Sequence, residues 1–284
     1  MSIVMKNKLS ATALAIATVM GMGYSAMASA ESTTFTTTIN VHSDNVCEID
    51  TVQPASANFA ATWTKTAGQD ASTLVVDSAA DPVFIGVNVK NGMGANCQLN
   101  RVRIGTEVTG TAEAAATTGA QSAAWLQTFG SAGGHWRFAP SLAQLKLFTS
   151  NDYLGANAVT ATDITVKDAL GTDHAQLATA HVNGGVKIAG ADIDAMGAQA
   201  DAYVLTDGFF GGAGGFVPMA AKGGAAMTYS LTGGAATDSI KSMQVGVGGI
   251  IGGDPEDGAG AVDRTAAAEG DAATLTWVTT VSLA

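Results

Sequence analysis

The sequence predicts an all-β protein of the sandwich class, and three observations carry that expectation. Of 284 residues, 35 are glycine and 5 proline, and an interior glycine weakens a helix by roughly 1 kcal/mol. Hydrophobic residues make up 47% of the chain and charged residues 13%, against about 25% charged in an average soluble domain. That balance allows a sizeable core and excludes a globally disordered chain. Short runs of alternating β-branched and apolar residues recur between Gly, Asn and Asp breaks, including at both ends of the chain, and strands at such spacing favour a sandwich.

Residues 1–30 form an address rather than a structural element. Lys6 and Lys8 precede an apolar run from Leu9 to about Met22, and Ala28-Ser29-Ala30 places alanine at −3 and −1 of a cleavage point between Ala30 and Glu31. This is the pattern of a secretory signal peptide. The run is shorter than the roughly 20 residues a membrane-spanning helix needs, so no membrane anchor is expected. The formal net charge of −11 becomes more negative when Lys6 and Lys8 are removed, which excludes the basic footprint of a nucleic-acid binder.

Export sets the reading of the two cysteines. Thiols in an oxidising compartment tend to pair, so Cys47 and Cys97 are expected to form a disulfide, with two buried free thiols as the alternative. Closing a loop of about fifty residues stabilises on the order of 4 kcal/mol by chain entropy. A cysteine zinc site is not available from two cysteines at this spacing.

The mature chain opens on a strand. In residues 33–41, TTFTTTINV, Phe35, Thr37, Ile39 and Val41 share one face and Thr34, Thr36, Thr38 and Asn40 the other. A polar break, His42 to Asn45, leads to Val46-Cys47-Glu48-Ile49. Short strands are then expected over Ser72–Asp77, Pro82–Val89 and Gln98–Ile104. Ala112–Ala124 reads as a loop with a possible helical turn. Ser141–Phe148, Ile164–Ala169, Val186–Ile193, Asp201–Thr206 and Met227–Leu231 read as short strands or turns. Two glycine-rich stretches, Gly208–Gly215 and Gly246–Gly260, read as flexible loops, the second holding the turn cluster Asp254-Pro255-Glu256-Asp257-Gly258. The chain closes on TLTWVTTVSLA, with Leu275, Trp277, Thr279, Val281 and Leu283 on one face. Termini are normally frayed and polar, so alternating strands at both extremes imply that both ends are paired with something.

Catalytic constellations are missing. No GxSxG, HExxH or GxxxxGK[ST] motif occurs, and Gly246, Gly248, Gly249 and Gly252 miss the GxGxxG spacing by one residue. No enzymatic activity, cofactor or metal is expected. His42, His135, His174 and His181 are scattered and read as surface or loop residues. Asp254, Glu256, Asp257 and Asp263 offer calcium-type oxygen ligands, but their spacing is not that of an EF-hand, and a solvated acidic turn is the simpler reading. Gly133-Gly134-His135-Trp136-Arg137-Phe138, and Phe209-Phe210 with Phe216, read as core residues flanked by glycine turns, with sugar- or surface-facing aromatics as the alternative.

Three stretches together resemble chaperone–usher pilin subunits. INVHSDNVCEID, residues 39–50, is similar to their passage from donor strand to first cysteine. Cys97 in NCQL sits near the place of their second cysteine, and GDAATLTWVTTVSL, residues 270–283, resembles their C-terminal strand. The chain departs from the family in having Leu283 where a penultimate tyrosine is common, and in its greater length, which is expected to lie in central insertions. The resemblance implies a signal peptide (1–30), a donor-strand extension (31–45) and a pilin β-sandwich domain (46–284). It implies an immunoglobulin-like sandwich lacking its final strand, whose groove a donor strand from another subunit fills. Strand addition satisfies exposed apolar side chains and unpaired backbone together. By this reading Phe35, Thr37, Ile39 and Val41 enter the next subunit's groove, and Leu275, Trp277, Thr279, Val281 and Leu283 pair with a periplasmic chaperone before an outer-membrane usher exchanges it for the donor strand. The expected product is a polymer of pilin subunits at the cell surface, a fimbrium supporting adhesion to a host-surface receptor. The alternative is a monomeric secreted module, binding carbohydrate or a surface, in which residues 33–41 pair within their own sheet.

Overall fold

A computed structural model of the chain describes residues 29–42, 47–52, 58–66, 70–76, 83–90, 93, 97–130, 133–156, 158–176, 183–207 and 216–283, with residues 29–42 described as backbone. Among them the regular structure is all β, interrupted by short 3-10 turns. In chain order the strands are β1 (Ser29–His42), β2 (Ile49–Val52), β3 (Asn58–Lys65), β4 (Ser72–Val76), β5 (Val83–Val89), β6 (Val102–Thr109), β7 (Glu113–Ala114) and β8 (Trp125–Phe129). They continue with β9 (Gly134–Phe148), β10 (Ile164–Lys167), β11 (Asp173–Ala175), β12 (Lys187–Ala189), β13 (Asp201–Val204), β14 (Thr228–Leu231), β15 (Ser242–Gly252) and β16 (Ala272–Leu283). The strands expected over 72–77, 82–89, 164–169, 201–206 and 227–231 are all present with slightly shorter bounds, and the one expected from Gln98 begins at Val102.

One sheet has the order β4-β3-β1-β16-β6, a second β12-β13-β15-β9-β8-β7, and a small third β11-β10-β14; β5 pairs with β15 and carries β2 on its far side. The period of two expected at the C-terminus is realised along β16, where Ala273, Leu275, Trp277, Thr279 and Val281 are buried and the residues between them are exposed or half-buried. Phe59, Ala61 and Trp63 of β3, and Val102 and Ile104 of β6, are buried alongside them. The second sheet meets this face with Trp136 and Phe138 of β9, Ile85 and Val87 of β5, and Val245 and Val247 of β15, within one core cluster. Aromatic rings bridge the two layers. Trp277 stacks on Phe138 at 6.0 Å between centroids, and Trp63 meets Trp136 edge-on at 6.1 Å. The reading of Trp136 and Phe138 as core residues holds, since both are buried.

One expectation fails outright in the second sheet. Residues 246–252, read as the start of a flexible loop, lie in β15, which is buried along its whole length. Its first half is flanked by β5 and β9, and its second half by β13 and β9. The glycines allow this crowding: a Cβ on Gly246 would sit 2.9 Å from the Gln144 backbone nitrogen, and one on Gly249 3.1 Å from Leu205 and 3.2 Å from the Ala139 carbonyl. The other glycine-rich stretch, Gly208–Gly215, lies outside the described residues. Central insertions cover the outer face of the sheet, where Ile193, Ala195 and Met196 pack with Ala139, Ala202, Val204 and Ile250 in a separate small cluster. The alanine-rich segment 112–124 forms the two-residue strand β7 and one 3-10 turn, Ala120–Ala123.

Candidate functional site

The N-terminal strand occupies an interior position in its sheet. Residues 29–36 of β1 pair antiparallel with β3, and residues 32–42 pair parallel with β16. The walls of the slot carry buried aromatic residues, Phe59 and Trp63 on β3 and Trp277 on β16. Phe59 of β3 and Trp277 of β16 lie 6.3 Å apart, stacked at 16°, and Trp277 also stacks on Phe138 of the opposing sheet. The Trp277 indole N–H is buried with no acceptor among the described residues.

The register places every residue singled out in the sequence. Phe35 aligns with Leu275 on one side and Phe59 on the other, Thr37 with Trp277, Ile39 with Thr279 and Val41 with Val281. Of the C-terminal strand residues, Leu275, Trp277, Thr279 and Val281 are buried, and Leu283 is half-buried at the end of the ladder with Val102. The far edge of β16 is held by β6, with the Thr106 and Thr279 hydroxyls 3.1 Å apart and the Thr109 hydroxyl donating to that of Thr276 at 3.0 Å. Ala30 and Glu31, which flank the expected cleavage point, lie within β1 opposite Thr64 and Trp63. Residues 1–28 lie outside the described residues.

This arrangement differs from the expected incomplete sandwich. A groove that no residue of the same chain fills is not what this structure shows: β1 of the chain itself completes the ladder between β3 and β16. Residues 31–42 are accordingly part of the sheet rather than an extension beside it. The disulfide is present, joining Cys47 to Cys97 with their Cα atoms 5.3 Å apart. It anchors the chain just after β1 to the segment that leads into β6.

The acidic turn after β15 is a structural knot. Asp254 and Glu256 are buried, which corrects the reading of a solvated acidic turn. Asp254 accepts hydrogen bonds from Trp63 Nε1 at 3.1 Å, from Arg264 Nη2 at 2.7 Å and from the Ser72 hydroxyl. Burial pushes its carboxyl pKa upward, but the bonds from Arg264, Ser72 and Trp63 prevail and hold it below the usual aspartate range. Glu256 takes a two-pronged bond from Arg137, Nε at 2.7 Å and Nη2 at 2.9 Å, and a third from Gln199 at 2.8 Å. Asp257 and Asp263 are engaged by nearby backbone N–H groups of their own turns. The four carboxylates therefore face separate partners, and among the described residues no group of three or more His, Cys, Asp or Glu side chains is arranged to hold a metal.

Of the histidines, His174 Nε2 lies 2.7 Å from Asp168 Oδ2, and His135 is half-buried with no partner for Nδ1 among the described residues. His42 lies in β1, and His181, Phe209 and Phe210 fall outside the described side chains. Phe216 packs against the small cluster under the insertions. Sequence reasoning did not name Gln199, Arg264 or Asp168, and it read Arg137 as a core residue and His174 as a surface or loop residue without their acidic partners. No local signal marks the burial of Arg137, because the period of two sends it to the face opposite Trp136 and Phe138. Comparison with protein-family models, with curated proteins and with solved structures finds no match for this chain.

Proposed function

We propose that this chain is a structural subunit of a bacterial surface fibre, an immunoglobulin-like pilin that polymerises by exchange of its N-terminal strand. The observation that carries the reading is the position of β1: it is the first of the described strands yet lies in the interior of a sheet, between β3 and β16. Such a strand can leave without breaking another connection, and its departure exposes two unpaired edges and the aromatic floor around Trp277 and Phe138. That slot suits a donor strand of the same sequence from a neighbouring copy, since the alternation of Phe35, Thr37, Ile39 and Val41 matches the buried rows of β3 and β16. Parallel pairing is slightly less stable per residue than antiparallel pairing. Because β1 is parallel to β16 and antiparallel to β3, an incoming strand antiparallel to β16 would run parallel to β3, so strand direction alone does not drive the exchange. A periplasmic chaperone and an outer-membrane usher are the partners this cycle requires, and the signal peptide is the route to them.

The seating of β1 in its own sheet is the observation that favours the second reading, a monomeric secreted binding module. Surface-sheared protein run on a denaturing gel without heating separates the two. A ladder that collapses on boiling, and that is missing when residues 33–41 are deleted, is expected for the exchanged fibre. A monomer under both conditions refutes it and leaves the module.

A further inference from the structure

We propose that the trough beside the Asp168–His174 pair is a binding site for neutral or amino sugars. The central insertions build it, outside the two sheets: a cavity of about 430 Å³ lined by Asp168, Leu170, His174, Asp194, Phe216 and Pro218 among others. A neighbouring cavity of about 560 Å³ shares its Ile193–Asp194 wall, so the concavity is elongated. Both volumes fall within the roughly 300–1,000 Å³ range of small-molecule sites. None of the lining residues belongs to β1, β3 or β16, so the site is independent of the strand slot and of the function proposed from it.

The polar groups are pre-set. Asp168 is buried, and its Oδ1 accepts the backbone N–H groups of Leu170 and Thr172, each at 2.8 Å. Its Oδ2 lies 2.7 Å from His174 Nε2, which fixes the ring and leaves His174 Nδ1 without a partner among the described residues. Asp194 is exposed on the shared wall, and its carboxylate likewise has no partner among the described residues. The Asp194 carboxylate suits hydroxyl or ammonium donors, and His174 Nδ1 suits a hydroxyl, which can donate or accept. Leu170, 39% exposed, with half-buried Phe216 and buried Pro218, supplies an apolar wall against which the C–H face of a pyranose ring can lie. Neither cavity is lined by a lysine or arginine, so a sialylated or sulfated glycan would bring its charge to carboxylates, a repulsive arrangement.

The test applies the purified mature chain to an array of immobilised neutral, amino-substituted and sialylated oligosaccharides, followed by calorimetric titration with lactose, glucosamine and sialyllactose. Binding of a neutral or amino sugar is expected, with affinity falling at least about tenfold in Asp194→Ala, which removes a charged hydrogen-bond partner. Phe216→Ala is expected to weaken the same sugar, and unchanged thermal unfolding of Asp194→Ala shows that the loss is local. Absence of saccharide binding at millimolar concentration overturns the proposal. So does a preference for sialylated glycans, or binding unaffected by both substitutions. Capture of a polylysine peptide in place of every sugar assigns the trough to simple charge attraction and also overturns it.

Discussion

Removing the carboxylate of Glu256 should expose how the acidic turn is tied into the sandwich. The Arg137 and Glu256 side chains are 4% and 0% exposed, joined by bonds of 2.7 and 2.9 Å, with Gln199 at 2.8 Å and the Ala195 carbonyl accepting from Arg137 Nη1 at 3.2 Å. An arginine cannot escape by losing its proton. Glu256→Ala therefore leaves a desolvated cation without its anion, and the expected cost is about 3–5 kcal/mol, a large part of the roughly 5–15 kcal/mol stability of a typical domain. Arg137→Met leaves the opposite orphan, a buried carboxylate, and should cost a similar amount. Arg137→Met combined with Glu256→Leu removes both charges at similar volume and should cost less than either change alone, because paired burial of charge is close to neutral against an apolar replacement. Equilibrium unfolding in urea, followed by the fluorescence of the buried tryptophans, measures all three. If the two single costs add to the double within about 0.5 kcal/mol, the residues are uncoupled and the reasoning fails.

Gly246→Ala, whose Cβ would meet the Gln144 backbone at 2.9 Å, should destabilise by about 1–3 kcal/mol, whereas Gly234→Ala, with open space around it, should be near neutral; equal effects would contradict the placement of Gly246 in a packed strand. The depressed pKa of Asp254 adds stability that is present above the ordinary unfolded aspartate value of about 3.9 and is lost as pH falls through its lower folded value. Asp254→Asn should therefore flatten the stability–pH curve in that acid window, as acid titration of unfolding would show. Replacing Cys47 and Cys97 together by alanine should cost on the order of 4 kcal/mol, read as a lower denaturation midpoint. Tyr229→Phe removes the 2.7 Å bond from its buried hydroxyl to the Leu99 carbonyl and should cost about 1–2 kcal/mol in the same assay.

Much of the fold is legible in the chain because its signals are local. Alternation with a period of two along residues 274–283 marks which side chains of β16 are buried, since strand geometry sends successive side chains to opposite faces. The same logic found most of the short strands, and the compartment logic paired Cys47 with Cys97. It failed at residues 246–252, because glycine supplies no hydrophobic period; what places Gly246 and Gly249 in a strand is the close approach of Gln144 and Leu205, which are distant in sequence. The knot of Arg137, Gln199 and Glu256 was illegible for the same reason: its members are far apart along the chain, and a charge looks solvated until a partner closes over it. Asp168 and His174 are six residues apart, yet their meeting depends on a turn that the sequence alone does not advertise.

Residue patterns alone thus carried the all-β class, the pairing of two cysteines and the alternation at both ends. Alternation says which face of a strand is apolar, but not which edge it joins. Backbone hydrogen bonds carry no residue identity, so the choice of partner rests on the shape of the slot. Tertiary packing settled that β1 lies between β3 and β16 of its own chain, parallel to the C-terminal strand, and that the acidic turn is buried against Arg137 of β9 and Arg264 of the same connection.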